Sequence, residues 1–296
     1  MGEVAALGTS ILWSFTSMLF TVAGRRVGSA IVNRTRLVIA VVFVALTHFI
    51  LQGRLIPQDI NTERVFWLSV SGVIGLVLGD ASLFQAFVMV GPRISMLMMA
   101  LAPVMSTVLA WIFLGEVLDS LDLLAVFITV AGIAWVVWES NDKLEKVARK
   151  DFLIGILFGI GGALGQAIGL ITSKLGMEGG FPPLSAVLIR LFIGMLAIWI
   201  MTFFQRKVQS TLKALKDQKA LLTIIAASFV GPYLGVWLSL IAIDLAQVGI
   251  ASTLMSLSPL LLIPLAKWFF DEQVSARVIF GTIAALIGVT MIFLNG

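Results

Sequence analysis

The stretch LAPVMSTVLAWIFLGE at residues 101–116 returns as LSPLLLIPLAKWFFDE at residues 257–272. A shift of 156 positions brings the two stretches into register and places Pro103 on Pro259. Chance does not produce such agreement at one fixed spacing, so the chain contains an internal duplication.

The duplication extends over most of the chain. The same shift, or one of 154 for the arginines, pairs Gly75 with Gly231, Gly79 with Gly235, Gly132 with Gly288, and Arg36 with Arg190. We therefore predict two homologous units, residues 1–140 and 151–296, joined by a charged connector at 141–150.

The composition indicates that these units lie in a lipid bilayer. Hydrophobic residues make up 59% of the 296 residues and charged residues 12%, with a mean hydropathy of +1.07, whereas a soluble domain carries about 25% charged residues. The apolar stretches are about as long as the ~20 residues that a helix needs to cross the hydrocarbon core. The chain has no cysteine, which excludes disulfides, thiol catalysis and thiolate metal sites.

The apolar stretches predict an all-α polytopic membrane protein with ten transmembrane helices, five in each unit. We place them at 4–23, 35–51, 65–90, 94–114, 121–138, 152–173, 184–204, 220–243, 247–270 and 274–294. An odd number of helices per unit turns the second unit over, which predicts two inverted five-helix repeats with a binding site near the midplane, where the repeats meet. The charged breaks at 139–151 and 205–219 are expected to lie helically along the membrane surface.

The basic residues predict the topology. Sixteen of the 20 Lys and Arg residues lie at the odd-numbered breaks between the predicted helices. The positive-inside rule then places these breaks in the cytoplasm and both termini outside, in the cell (inner) membrane. Because the basic residues form no continuous face, we expect lipid headgroups as their partners and no nucleic acid.

Several short motifs resemble a known family. They are Leu12-Trp13-Ser14-Phe15, the Arg-Leu pairs that start predicted helices 2 and 7, and the Pro followed thirteen residues later by Glu, at Pro103 and Glu116 and at Pro259 and Glu272. In this order they are similar to the EamA-type branch of the drug/metabolite transporter superfamily, over essentially the whole chain. The resemblance implies a ten-helix basket around a central cavity and transport of a small solute, often export of amino acids or other metabolites. In many members of this family both termini look cytoplasmic, whereas the Lys and Arg count of this chain predicts that both are outside.

Asp80 is the clearest candidate for a functional residue. It lies about ten residues, or roughly 15 Å at 1.5 Å per residue, from the end of predicted helix 3 and has apolar neighbours. An ionisable side chain at that depth is a functional candidate by default. It can bind a proton as coupling ion, a cation or a substrate amine. Alternatively, it is a hydrogen-bonded acid that fixes helix packing.

Four further polar residues have two interpretations each. Gln85 and Gln166 lie within helices and can orient a substrate, or form interhelical hydrogen bonds worth about 1 kcal/mol. Arg36 and Arg190 lie about a turn inside predicted helices 2 and 7, where they can attract a carboxylate or phosphate from opposite mouths. Alternatively, they are anchors that extend to the membrane interface.

A cavity surface is predicted from aromatic and hydroxyl residues at helical spacing. The candidates are Trp13, Ser14 and Ser17, Tyr233 and Trp237, and Ser252 and Ser256. Such a surface binds a substrate with an apolar body and few polar groups, and ordinary packing is the alternative. Pro103 and Pro259 are candidate hinges or static bends. Glycines at 155, 159, 161, 165 and 169 predict close backbone approach by helix 6.

These features favour a secondary transporter, expected to be a monomer without cofactor or metal. The alternatives are a passive channel or a membrane scaffold. An intramembrane enzyme fits less well, because the chain has no HExxH motif, no cysteine and one histidine, His48, and so offers no metal site and no nucleophile with its base.

Overall fold

A computed structural model describes residues 1–114, 120–142, 146–245, 251, 254–270 and 275–295. Helix accounts for 89% of the structure, and the described residues contain no strand. The candidate residue Ser252 lies outside the described residues, as do Glu116 and Glu272 of the Pro-to-Glu motif.

The first half of the chain consists of six α-helices and one π-helical segment. They are α1 (Gly2–Val27), α2 (Ser29–Gln52), α3 (Thr62–Ser71), π1 (Gly72–Gly79), α4 (Asp80–Met99), α5 (Leu101–Leu114) and α6 (Ser120–Asp142). The positive φ of Gly28, 91°, separates α1 from α2, and that of Gly53, 70°, ends α2. Glycine adopts this backbone region without a steric penalty.

The second half has a second π-helical segment. Its elements are α7 (Lys146–Gly176), α8 (Pro183–Phe204), α9 (Val208–Ala214), α10 (Gln218–Ser228), π2 (Phe229–Gly235), α11 (Val236–Leu245), α12 (Ser258–Phe270) and α13 (Ala276–Asn295). Proline in the first turn starts α8, where its missing N–H is not needed. The Asp217 side chain caps α10 by accepting from the Ala220 amide at 3.1 Å.

Six stretches are long and apolar enough to cross a membrane. They are Gly2–Val27, Ser29–Gln52, Thr62–Met99, Arg149–Gly176, Pro183–Phe204 and Gln218–Leu245, with shorter apolar helices at Leu123–Glu139, Ser258–Phe269 and Ala276–Met291. Large apolar side chains such as Trp138, Phe204 and Phe280 are exposed, as lipid contact requires. The protein is therefore a polytopic helical membrane protein, and the count of ten helices stays a prediction.

Several predicted boundaries are wrong. The break at 24–34 is reduced to Gly28, so Arg36 lies two turns inside α2 rather than near its start. The break predicted at 91–93 is confirmed inside the range given for α4, because Gly91 has φ 81° and ψ 167°, which is not helical, and a Cβ on Gly159 would contact both Ala86 and Met98, on the two sides of Gly91. The helix predicted at 94–114 is divided at Ala100. Within 205–219, α9 is the expected short helix.

Two other predicted helices contain π-helical turns. The segments π1 and π2 interrupt the helices predicted at 65–90 and 220–243, at positions that correspond under the 156-residue shift. In π1 the Asp80 amide donates to the carbonyl of Gly75, five residues back. In π2, Pro232 has no amide to donate. Such wide turns are frequent at functional sites.

Each π segment packs against the first helix of the other half. A Cβ built on Gly165 of α7 would lie 2.5 Å from the Gly79 Cα in π1, and one on Gly169 would lie 3.1 Å from the Gly75 Cα. Likewise, a Cβ on Gly235 of π2 would lie 3.0 Å from the Trp13 ring of α1. Since residue numbers rise along α7 as they fall along π1, these two elements run antiparallel.

The helices α6 and α13 form a reciprocal pair. A Cβ on Gly132 would lie 2.6 Å from the Ala285 nitrogen, and one on Gly288 would lie 2.6 Å from the Thr129 nitrogen. Under the 156-residue shift each contact is the image of the other, which is the mark of a local two-fold axis. Gly281 packs on Gly132, so α6 and α13 also run antiparallel.

Candidate functional site

A cavity of about 580 Å³ lies between the two halves. Its walls come from α1, α2, π1, α4, α5, α7, α8, π2, α11 and α12. Among the described residues, neither α6 nor α13 contributes to the lining. Its size is typical of sites for small molecules.

An ion pair lies at the centre of this cavity. Arg36 Nη2 donates to Asp80 Oδ2 at 2.5 Å and to the Leu76 carbonyl at 2.8 Å, while its Nε donates to Asn33 Oδ1 at 2.9 Å. Asn33 in turn donates to the Val77 carbonyl at 3.1 Å. The widened turn of π1 thus presents carbonyl groups to side chains of α2. The Arg36 side chain is 2% exposed and that of Asp80 16%.

A second arginine lies beside this pair. Arg190 of α8 lines the cavity, is 3% exposed, and is attracted electrostatically by Asp80. A Cβ on Gly75 would lie 3.8 Å from Arg190 Nη2, which is ordinary contact and places the guanidinium directly beside π1. Within the described part of the chain, Arg190 Nε has no hydrogen-bond partner. Two guanidinium groups therefore share one carboxylate.

This charge imbalance follows from a difference between the two halves. The 156-residue shift places Val236 at the position of Asp80, and both residues line the cavity. The duplication therefore retains the arginine in both halves, whereas the carboxylate is present in the first half alone.

The cavity is open at one end and closed at the other. Lys174 and Glu178 line it and are exposed, so it reaches the surface at the end of α7. At the opposite end Phe20, Phe84 and Phe87 are buried, with ring centroids 4.7 Å apart for Phe20 and Phe84 and 5.7 Å for Phe84 and Phe87. These three rings form an aromatic layer that closes the cavity.

Polar contacts join the helices beyond the aromatic layer. Arg26 donates to Asp217 Oδ2 from Nη2 at 2.8 Å and from Nε at 3.0 Å, and Arg34 Nη1 donates to Thr211 Oγ1 at 3.0 Å. The Ala220 amide, and then Arg26, lower the pKa of the Asp217 carboxyl below its ordinary value. The first two helices are thereby linked to the segment before α10.

Nine of the residues proposed from sequence line the cavity. They are Trp13, Ser17, Arg36, Asp80, Pro103, Gln166, Arg190, Ser256 and Pro259. Their roles stay predictions, but the expected placement of the two arginines is wrong. Arg36 and Arg190 do not occupy opposite mouths or extend to the interface, because both are buried beside Asp80.

Ser14 and Gln85 do not line the cavity. The Ser14 hydroxyl donates to the Ser10 carbonyl at 2.7 Å and to the Ser258 carbonyl at 3.3 Å, which joins α1 to α12. Gln85 Oε1 accepts from the Ser29 hydroxyl at 2.6 Å, which joins α4 to α2. Both side chains form interhelical contacts, which is the alternative that the sequence left open.

Tyr233 and Trp237 also lie outside the cavity lining. The Tyr233 hydroxyl is 2.7 Å from Thr47 Oγ1, and its ring packs at a centroid distance of 5.7 Å from Phe43. Trp237 packs beside Tyr233 with 6.1 Å between ring centroids. The two aromatic residues connect π2 and α11 to α2.

Sequence reasoning missed the aromatic layer. Phe84 and Phe87 follow Asp80 by four and seven residues, and Phe20 follows Trp13 by seven, so helical spacing from a known candidate could have found all three. Lys174, near the end of α7, is exposed and also borders the cavity.

His48 lies outside the cavity. Its Nδ1 is 2.7 Å from the Arg54 carbonyl oxygen and its Nε2 is 3.1 Å from Ser185 Oγ, and the ring is fully buried. This histidine holds the end of α2 against the start of α8.

These features define a polytopic helical membrane protein with a central cavity open at one end. The EamA-like transporter family matches residues 1–138 and 153–294. The chain belongs to this family and thus to the drug/metabolite transporter superfamily. Members of the EamA-like family are transporters rather than enzymes.

The comparison with solved structures supports the fold. One structure, described as "Crystal structure of protein", is similar to this chain with a TM-score of 0.66 and 16% identity, and the match covers 98% of this chain and 94% of that one. Among curated proteins, none matches this chain.

Proposed function

We propose that this protein is a secondary transporter that moves a small amphipathic metabolite, an amino acid or a similar solute, in the export direction. The observation that carries the proposal is the central cavity, which has charged groups at its middle, one open end and one closed end. A pore has no need of a closed aromatic layer, whereas alternating access requires one end to be closed at a time.

Two inverted five-helix repeats, residues 1–140 and 151–296, provide the two conformations. The reciprocal, antiparallel contacts of α6 with α13 support this arrangement, as do the two ranges matched by the family. Repeats related by an axis in the membrane plane can exchange conformations, so each end of the cavity opens in turn.

The alternate gate follows from the same correspondence. The 156-residue shift places Leu240 and Ile243 at the positions of Phe84 and Phe87. Ile243 already lines the cavity. In the opposite conformation Leu240 and Ile243 close the end that is now open, while the aromatic layer separates. Pro103 and Pro259, both in the cavity wall, are the proposed hinges.

Asp80 is the proposed site of proton coupling. Its carboxylate neutralises Arg36 at the cavity centre, so protonation would remove the charge that holds the guanidinium in place. A proton that enters from one side thereby alters the contact between α2 and π1. Such coupling through a membrane-embedded acid is common in transporters.

The topology is part of the same proposal. The Lys and Arg distribution supports a topology with the closed end, Arg26 and α9 in the cytoplasm and with the open end and both termini outside. The protein acts as a monomer in the cell (inner) membrane.

Counterflow in proteoliposomes tests the transport function. With purified protein and the probes phenylalanine, leucine and 3-phenylpropanoate, we expect saturable exchange of at least one labelled probe. Asp80→Asn should retain exchange but lose accumulation driven by a pH gradient. Unitary currents without saturable exchange would show a channel instead, and accumulation that is unchanged in Asp80→Asn would remove Asp80 from coupling.

A further inference from the structure

The substrate class can be inferred from the charges at the cavity centre. Arg36 and Asp80 form an ion pair at 2.5 Å and neutralise each other. Arg190 adds one positive charge that Asp80 cannot also neutralise. Among the described residues, the centre therefore carries one positive charge in excess, and a buried charge is costly without a partner of opposite sign.

Arg190 brings that charge to the wall of the cavity. Its side chain is 3% exposed and borders the cavity, and its Nε is enclosed by protein and has no hydrogen-bond partner within the described residues. Val236 occupies the position at which a second carboxylate would complete the symmetry of the two halves. A planar guanidinium with free donors binds a carboxylate or phosphate in a bidentate manner.

The remainder of the wall is mainly apolar, with hydroxyl and amide groups such as those of Ser17, Gln166 and Ser256 between the apolar side chains. Trp13, Phe20, Phe84, Phe87 and Met99 line the cavity around the charged centre. Aromatic and thioether side chains contact an apolar body without offering it strong hydrogen bonds. The cavity thus combines one anion-binding group with a hydrophobic surface.

Lys174 and Glu178, at the mouth, do not change this balance, because they carry opposite charges and are both exposed to solvent. A zwitterion would leave the excess positive charge of the centre uncompensated. A cation would add to it. A monoanion neutralises it.

We propose that the substrate is an amphipathic monoanion whose carboxylate or similar oxyanion binds Arg190, while its apolar body packs against the aromatic wall. This narrows the proposed function from amino acids, which are zwitterions, to similar solutes without the amine charge. That this anion is transported rests on the proposed function, whereas its binding at Arg190 can be tested independently of transport. Because the bound anion would bring a second negative charge close to Asp80, anion binding would favour protonation of Asp80.

Binding to the purified protein tests the inference with four compounds of the same shape. They are 3-phenylpropanoate, its neutral amide 3-phenylpropanamide, the zwitterion phenylalanine and the cation phenethylamine. We expect isothermal titration to give the lowest Kd for 3-phenylpropanoate, at least about tenfold below that of the amide, which corresponds to 1.4 kcal/mol. A Kd that is equal for anion and amide, or lowest for the zwitterion or the cation, would overturn the inference.

Arg190→Gln locates the site. It should raise the Kd of 3-phenylpropanoate about tenfold or more and leave that of the amide unchanged. Arg190→Lys keeps the charge and should raise the Kd of 3-phenylpropanoate by a smaller factor. An equal loss for both compounds would show that Arg190 only supports the cavity shape. If Arg190→Gln does not fold, Arg190→Lys still decides, because a loss of the same size for anion and amide contradicts anion binding.

Inorganic anions and transport provide the remaining controls. Chloride and inorganic phosphate should compete with 3-phenylpropanoate only weakly, and binding of either as tightly as 3-phenylpropanoate would overturn the role of the apolar wall. If 3-phenylpropanoate binds through Arg190 but no probe is exchanged in proteoliposomes, the anion site stands and the transport proposal fails. If exchange occurs without preference for the anion, the transport proposal stands and the anion site fails.

Discussion

Gly165→Ala should weaken the contact between α7 and π1. The added Cβ would lie 2.5 Å from the Gly79 Cα, 3.1 Å from the Gly79 nitrogen and 3.2 Å from the Ile74 carbonyl oxygen. All three are backbone atoms and cannot rotate away. Because carbon atoms prefer about 3.5–4.0 Å, the two elements must separate by about 1 Å.

The cost follows from overpacking. Inserting a methyl group into a close-packed contact destabilises by about 1–3 kcal/mol. Alanine also gains up to about 1 kcal/mol over glycine in a helix, which partly conceals the loss. Gly161→Ala removes this ambiguity, because Gly161 lies one turn earlier on α7 and its Cβ would meet Ser82 Oγ at 3.4 Å and Ser82 Cβ at 3.5 Å, which is ordinary contact.

The free energy of unfolding, measured by SDS titration in mixed micelles, compares the two variants. We expect Gly165→Ala to be less stable than Gly161→Ala by about 1–3 kcal/mol, since the helix-propensity gain is common to both. Gly165→Ala should also reduce exchange in proteoliposomes, because π1 positions Asp80. Equal stability of the two variants would refute the close packing of α7 on π1.

Two further outcomes are expected. Because the chain has no cysteine, the variants Gln58→Cys and Ser210→Cys, both at exposed positions, each carry a single thiol. An impermeant maleimide should label Gln58→Cys from outside whole cells and Ser210→Cys only after lysis. The reverse pattern would invert the proposed topology. The lowered pKa of Asp217 implies that its capping bond to Ala220 and its ion pair with Arg26 stabilise the fold above the ordinary pKa of 3.8 and lose this effect as the pH falls through the lower folded value; the difference in Tm between the wild type and Asp217→Asn should vanish there, and a difference independent of pH would contradict this.

The fold was largely predictable because its signals are local. Hydropathy is a property of each segment, and a bilayer requires every span to satisfy its own backbone hydrogen bonds. The boundaries were less predictable. Gly28 separates α1 from α2 without a polar loop, so the charged segment around Arg26 and Arg34 resembled a break although it is helical.

The candidate site was predictable in part. Asp80 was identified from its depth within an apolar helix, and it lies at the cavity centre. Gln85 had the same kind of signal but contacts Ser29 instead. Gln85 lies five residues after Asp80, so the two side chains point to different faces of α4. Only the packing of α2 on α4 determines which of these faces borders the cavity.

The sequence by itself determined that this chain spans a bilayer, that it is duplicated and that Asp80 is embedded in it, because composition, repetition and depth are properties of single segments. The tertiary structure alone decided that Arg36 neutralises Asp80 while Arg190 keeps an excess charge. These groups lie 44 and 110 residues from Asp80 along the chain, and their contact depends on which helix faces meet. In a membrane that choice is made by glycine contacts and backbone geometry between helices, to which hydropathy is insensitive.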